Sequence, residues 1–434
     1  MHTVGIYTLG CKVSQYESEA IGEEFLRRGC ELRDFSEKCD AYVVNTCTVT
    51  AESDRKSRQM IRRALKKNPL AVVAVVGCYS ERAAEEIMKI EGVSLVQGTD
   101  GKLGVVDRVI DLIEGGGSPG IFKCPLGIGF EEMEINHAPR SRAYIKIEDG
   151  CESKCSYCAI RLARGRVRSK KPETAIREAE ALSDSGVNEI VLTGIETGAY
   201  GRDFEENYTL GDLIAELSRR GVVKRIRLGS LAPELVGREF CEKVKNSKIL
   251  TPHFHISMQS GSDSVLRGMK RKYNSKMALE NIERLRESFP GAEFTTDMMV
   301  GFPGETDEDF KESLEFISRV GFLDVHVFAY SKRAGTEAAT YENQVPEAVK
   351  EARSHAMIAH KNLVREGRLS LMVARGGELS VIAETLLPDG RYSSHADNFA
   401  EIIFKPKTER DLRGEFVKVV PVSHKDGVIF AEEI

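Results

Sequence analysis

The chain is predicted to be an α/β protein: an N-terminal parallel α/β domain, a partial (βα)6 TIM-like barrel and a small C-terminal all-β barrel. Three observations carry this. Short β-branched runs alternate with helix-like, charge-rich segments over most of the chain, the pattern of parallel sheets crossed by helices. A glycine-rich break, EGGGSPG (Glu114 to Gly120), divides that pattern. From about Leu369 it gives way to short alternating strands with Pro-Asp-Gly and Lys-Asp-Gly turns and no helix signal. The expected domains are 1–120, a linker over 121–139, 140–368 and 369–434. At 434 residues, more than one core is required.

In the first domain three apolar runs, TVGIYTLGC, DAYVVNTC and LAVVAVVGC, each end in a cysteine and lead into a helical segment. Ligands of parallel sheets gather beyond the carboxyl ends of the strands, so Cys11, Cys47 and Cys78 are placed to meet at one point. Three consecutive strand ends favour a metal site over buried structural thiols. Cys30, Cys39, Cys124 and Cys241 lack the pattern and read as structural.

The second domain carries six further strands: AYIKIED, EIVLTGIE, RIRLGSL, HFHISMQS, FTTDMMVG and DVHVFAYS. The helical segments between them begin with Pro or Asp and end in Gly, as helix boundaries do. Six βα units make an incomplete barrel with its site at the carboxyl ends of the strands. There, directly after the first strand, stands CESKCSYC, with Cys151, Cys155 and Cys158. A structural zinc wants four ligands, usually as two separated pairs. Three thiolates on one loop suit a 4Fe-4S cluster with one iron left for a cofactor or substrate. On the residues alone a zinc site, or a closed iron-sulfur centre without catalysis, stays open.

Composition bounds the partners. With 41% hydrophobic and 30% charged residues the chain is globular, and no apolar run approaches the roughly 20 residues of a membrane span. A cytoplasmic protein with no membrane partner is expected, and in that reducing compartment clustered cysteines bind metal or do chemistry. A net charge of −5 excludes a generally basic nucleic-acid binder. Two segments depart from that average. Arg55 to Lys67, with Arg55, Lys56, Arg58 and Arg62, has seven basic residues and no acid; Arg161 to Lys171, with Arg164, Arg166 and Arg168, has six and none. Each adjoins a cysteine motif, which points to RNA phosphates rather than solvent. The last barrel, with 8 Lys or Arg against 11 Asp or Glu from Leu371 onward, has no basic footprint. GFPGET (Gly301 to Thr306) lacks the lysine of a nucleotide-binding loop and reads as a tight strand-to-helix turn.

CxxxCxxC with Tyr157 before its last cysteine resembles the cluster motif of radical S-adenosylmethionine enzymes. With NTCTVTAESDRKSRQMIRRA, LTGIETGAYG, HFHISMQSGSDSVLRGMKRKY, TTDMMVGFPGET and HVFAYSKRAGT, the chain resembles the methylthiotransferases over nearly its full length. The likeness is greatest to the branch acting on N6-threonylcarbamoyladenosine in tRNA. The resemblance implies two 4Fe-4S clusters, one on Cys11, Cys47 and Cys78 and one on Cys151, Cys155 and Cys158, and a TRAM-like last barrel. It implies S-adenosyl-L-methionine in two uses, to methylate a sulfur and to generate the radical that takes hydrogen from adenine C2. Tyr157, Gly194, Glu196, Gln259 and Asp297 would bind this cofactor; an electron donor and a sulfur source are also required. Sister enzymes act on isopentenyladenosine in tRNA or an aspartate of a ribosomal protein, and those acceptors remain alternatives.

Overall fold

The computed structural model describes residues 1–136 and 142–434. The last part of the expected linker and its boundary at 139/140 fall on residues 137–141, outside the described residues.

The first sheet is wholly parallel, ordered β2-β1-β3-β4-β5-β6. Its strands are β1 (Thr3–Thr8), β2 (Glu31–Arg33), β3 (Ala41–Thr46), β4 (Val72–Gly77), β5 (Val93–Gln97) and β6 (Gly120–Phe122). The crossovers are α1 (Lys12–Arg27), α2 (Ala51–Lys67), α3 (Cys78–Met88) and α4 (Gly104–Ile113). Near-continuous apolar strands such as VVAVVG are explained by burial on both faces: Val44 and Val75 pack under α2 and α3, Val43 and Val76 under α1 and α4. The glycine-rich break does not end this sheet. The chain returns after it to add β6, so Ile121 and Phe122 belong to the sheet and not to a linker.

The barrel strands are β7 (Arg142–Lys146), β10 (Glu189–Thr193), β11 (Arg225–Leu228), β12 (Ser230–Leu231), β13 (His253–Gln259), β14 (Glu293–Val300) and β15 (Asp324–Ala329); a short hairpin of β8 (Glu148–Asp149) and β9 (Arg168–Ser169) follows β7. β11 and β12 are one strand interrupted at Gly229, so six parallel positions result, as expected. Ile190, Ile226, Phe254, Ile256 and Phe294 point outward beneath the helices. Their alternates therefore line the lumen. β7 and β15 are edges, unpaired with one another among the described strands, and leave the barrel open on that flank.

Helices α5 (Ile160–Arg164), α6 (Pro172–Asp184), α7 (Leu210–Arg220), α8 (Arg238–Val244), α9 (Asp263–Gly268), α10 (Ser275–Ser288) and α11 (Asp307–Val320) belong to the barrel. The 29-residue α12 (Glu347–Arg375) runs on past the expected boundary at 368/369, and its Leu369 and Met372 join the core of the last domain. That domain is a closed five-stranded barrel, β16-β17-β18-β20-β19, over Leu379–Leu386, Tyr392–Ala396, Glu401–Lys405, Phe416–Lys425 and Val428–Glu433, with β19 preceding β20 in the chain. It packs at the amino ends of the barrel strands, where Phe399 stacks on His253 at 4.3 Å and Arg225 donates to Ser380 Oγ at 2.8 Å. No helix among the described residues is long and apolar enough to cross a membrane.

Candidate active site

A cavity of about 330 Å³ opens at the carboxyl ends of the barrel strands. Its wall carries Cys151, Cys155 and Cys158 with Tyr157, Gly194, Glu196, Gln259 and Asp297, the residues marked from the sequence, and from the first domain Cys11, Val49 and Thr50. One side is thus formed by the loop after β7, the other by the segments after β1 and β3. Gly194 has no room for a side chain, since a Cβ would stand 2.5 Å from Glu148 Oε2. Gln259 adopts φ 68° where β13 shifts register against β14, a strained placement of the kind found at functional sites.

The donor sets fit clusters better than single ions. Sulfurs on one tetrahedral zinc lie about 4 Å apart, given Zn–S bonds of about 2.3 Å. Among the described residues neither cysteine triad brings three ligand atoms within 4.8 Å of one another; His255, Asp297 and His326 do. Wider spacing suits a cube whose irons take one thiolate each. Gly10, at φ 118°, lets Cys47 close in, with Sγ 3.5 Å from where a Cβ would be. Burial pushes the Cys158 thiol up to about 12 and Cys151 and Cys47 up to about 11, and neighbouring thiols add to each. They stay protonated until a cationic centre displaces the protons.

Each triad has an arginine on one sulfur, and neither was found from the sequence as a partner of sulfur. Arg271 Nη1 lies 3.2 Å from Cys155 Sγ, with Nη2 on Ser257 O and Nε on Tyr273 Oη. Arg164 Nε lies 3.2 Å from Cys78 Sγ, with Nη1 at 2.7 Å from Glu17 Oε1 and 3.0 Å from Asp149 Oδ2. Lys102 and Lys146 also pair with Glu17. This corrects the expectation that Arg164 and Arg168 meet RNA phosphates. Arg164 is fully buried, and Arg168 is buried on Asp100; a basic run in the sequence conceals that its acids arrive from α1, β8 and the loop after β5. Of that run Arg166 is exposed, and Arg55, Lys56 and Arg62 on α2 are too, while Arg58 is partly covered on Tyr79 Oη. Cys30, Cys39 and Cys241 are buried as expected of structural cysteines; Cys124 is exposed.

Three more features escaped the sequence reading. Glu148, wholly buried, is held well above the usual carboxyl range by desolvation; its Oε2 accepts from the Glu196 amide at 2.9 Å. Desolvation likewise raises Glu196 to about 7, while its Oε1 accepts from the Ala232 amide. Lower in the lumen Asp297 is bracketed by His326 Nδ1 at 3.1 Å and His255 Nε2 at 3.4 Å. Lys12, accessible in the open flank, has its ammonium among Arg227, Arg142, Glu189 and Asp297, and burial with the two guanidinia lowers it to about 8.

An open parallel barrel with three cysteines on the loop after its first strand, facing one cavity, defines a radical S-adenosylmethionine enzyme. Residues 145–317 match the radical SAM superfamily, and residues 3–98 match a family described as uncharacterized protein family UPF0004. The chain belongs to the family of radical SAM tRNA methylthiotransferases. It is 41% identical to the threonylcarbamoyladenosine tRNA methylthiotransferase MtaB of Bacillus subtilis, over 96% of this chain and 93% of that protein. It is 32% identical to the tRNA-2-methylthio-N(6)-dimethylallyladenosine synthase of Thermoanaerobacter pseudethanolicus, over 83% of this chain and 78% of that one. In fold it is similar to the radical S-adenosylmethionine methyltransferase TsrM of Kitasatospora setae, with a TM-score of 0.58, 16% identity and coverage of 78% of this chain and 74% of that one. Enzymes of this family use S-adenosyl-L-methionine and 4Fe-4S centres, two of them in the MtaB type.

Proposed function

We propose that the protein replaces the hydrogen on C2 of N6-threonylcarbamoyladenosine in tRNA with a methylthio group. The observation that carries this reading is the shared cavity: the barrel cysteines and Cys11 of the first domain face the same volume. A reaction that generates a radical at one centre and takes sulfur from another needs that arrangement, because a carbon radical must meet its sulfur before water or another hydrogen donor.

Cys151, Cys155 and Cys158 hold the radical-generating cluster, and Cys11, Cys47 and Cys78 the auxiliary one. A cluster held on the first triad would, when reduced, supply the electron for reductive cleavage of S-adenosylmethionine. Glu196, deprotonated on meeting the cofactor's ammonium, and the backbone at Gly194 hold its methionine end, with Tyr157 and Gln259 closing the sides. Arg55, Lys56, Arg58 and Arg62 on α2 and Arg166 on the barrel side meet RNA phosphates. An electron donor and a sulfur donor complete the cycle.

The test is anaerobic reconstitution, then incubation with reductant, S-adenosylmethionine and tRNA carrying threonylcarbamoyladenosine, with nucleosides read by mass spectrometry. A methylthio adduct that disappears in Cys151→Ala supports the reading. Formation of 5′-deoxyadenosine with no altered nucleoside removes the acceptor assignment, and absence of both from a cluster-replete protein removes the reaction.

A further inference from the structure

The lumen beneath the cavity is lined by charged groups that neither cluster nor cofactor uses. Along β15, His326 and Phe328 are two residues apart and point the same way. Register pairs Phe328 with Met299 and, one step deeper, His326 with Asp297. Phe328 is 43% exposed and lines the cavity, an unusual state for a phenyl ring inside a barrel. His326 is half-exposed and sits on Asp297, a carboxylate that lines the cavity and that His255 grips from the other side.

Most charges at this depth are paired, Arg142 with Glu384 and Arg225 with Glu189 among them. Arg227 and Arg142 are committed to Glu189, and Arg227 also donates to backbone carbonyls of the last barrel. Asp297 is engaged by both imidazoles. Lys12, entering through the open flank, makes no ion pair among the described residues. An exposed aromatic ring, an imidazole about 6.6 Å below it two residues along the strand, and the Lys12 ammonium near the same Asp297 carboxylate describe a site for an aromatic base with an anionic substituent.

Threonylcarbamoyladenosine has that form. Its N6 side chain ends in a carboxylate four bonds from the exocyclic N6, on the order of 5 Å away. We propose that Lys12 and His326, the latter braced by Asp297 and His255, form the subsite that takes the threonyl carboxylate while the adenine lies on Phe328. The inference rests on the function proposed above and adds the group that selects the substrate. It also gives Asp297 a different task from the cofactor contact expected of it: it orients His326 toward the substrate.

The test compares two anticodon stem-loops, one carrying threonylcarbamoyladenosine and one carrying its neutral threonine amide, on the reconstituted holoenzyme. Equilibrium binding and methylthio formation are both measured. Loss of a charge-assisted contact should weaken the amide by about 10-fold or more, and Lys12→Gln and His326→Gln should each shrink that gap. Iron content is followed for Lys12→Gln, which neighbours Cys11; His326→Gln is remote from both triads in sequence and keeps the test decisive. Equal binding of acid and amide by the wild type, or an undiminished gap in both variants, overturns the subsite. Preferential binding of the acid without any methylthio product keeps the subsite and overturns the reaction.

Discussion

Glu17 and Asp149 surround Arg164 behind Cys78, while buried Glu148 and partly buried Glu196 stand on the side of Cys151, so four carboxyl groups serve one assembly. Burial raises all four in isolation, yet the outcomes are opposite. Around Arg164 the guanidinium and two lysines overcome desolvation and hold Glu17 and Asp149 well below the usual range. Around Cys151 desolvation wins, and Glu148 and Glu196 are raised. The first triad is backed by a closed ionic network that locks α1 to the barrel. The second is backed by acids with protons to give up, which suits a wall that must receive a cationic sulfonium cofactor.

The largest test of that contrast is removal of a ligand on each side. Cys151→Ala should reduce 5′-deoxyadenosine to background together with the modified nucleoside. Cys47→Ala should leave 5′-deoxyadenosine formation in place while the methylthio product disappears. Equivalent losses in both variants, by chromatography of the two products, would remove the division of labour.

Next in size is Arg164→Met. Taking one partner from a buried ionic network costs about 3–5 kcal/mol, because Glu17 and Asp149 keep their burial and lose their strongest neighbour. Denaturant melts should show that loss. Arg271→Met should cost far less, since Arg271 is only partly buried and Tyr273 Oη still serves Ser257 O. Its effect belongs to the cluster: losing an N–H on Cys155 disfavours the more negative reduced state. A shift of about −60 mV, equivalent to about 1.4 kcal/mol for one electron, is expected in an EPR-monitored titration.

These arginines also mark where sequence reading stopped. The strands ending in Cys11, Cys47 and Cys78 were legible because a β-branched run followed by helix signals fixes both the strand and its carboxyl end. The cysteine loop after β7 was legible for the same reason. Arg164 was misplaced because a cluster of basic residues has the same local signature on a surface and in an ionic core; Glu17, its counter-charge, lies 147 residues earlier. Glu148 was lost inside AYIKIED, where an acid at a strand end reads as solvent-facing. His326 and Lys12 gave no signal at all, since their meaning depends on which flank of the barrel is open.

The smallest expected effect is on stability against pH. Glu196 has its native value raised to about 7, so the native state holds a proton that the unfolded chain has released above its ordinary value. Its contribution is present at low pH and is lost as pH rises from the ordinary carboxyl value toward 7. Glu17, lowered in the native state, contributes above its ordinary value and loses that contribution as pH falls through the depressed one. Glu196→Gln, which keeps an oxygen for the Ala232 amide, should therefore match the wild type near pH 5 and exceed it by about 1 kcal/mol at pH 8, allowing for partial exposure. Glu17→Gln should instead be destabilised at pH 8. Parallel pH profiles for the two variants in thermal melts would mean that the two walls share one electrostatic character; opposite slopes are what a locked wall and a cofactor-receiving wall require.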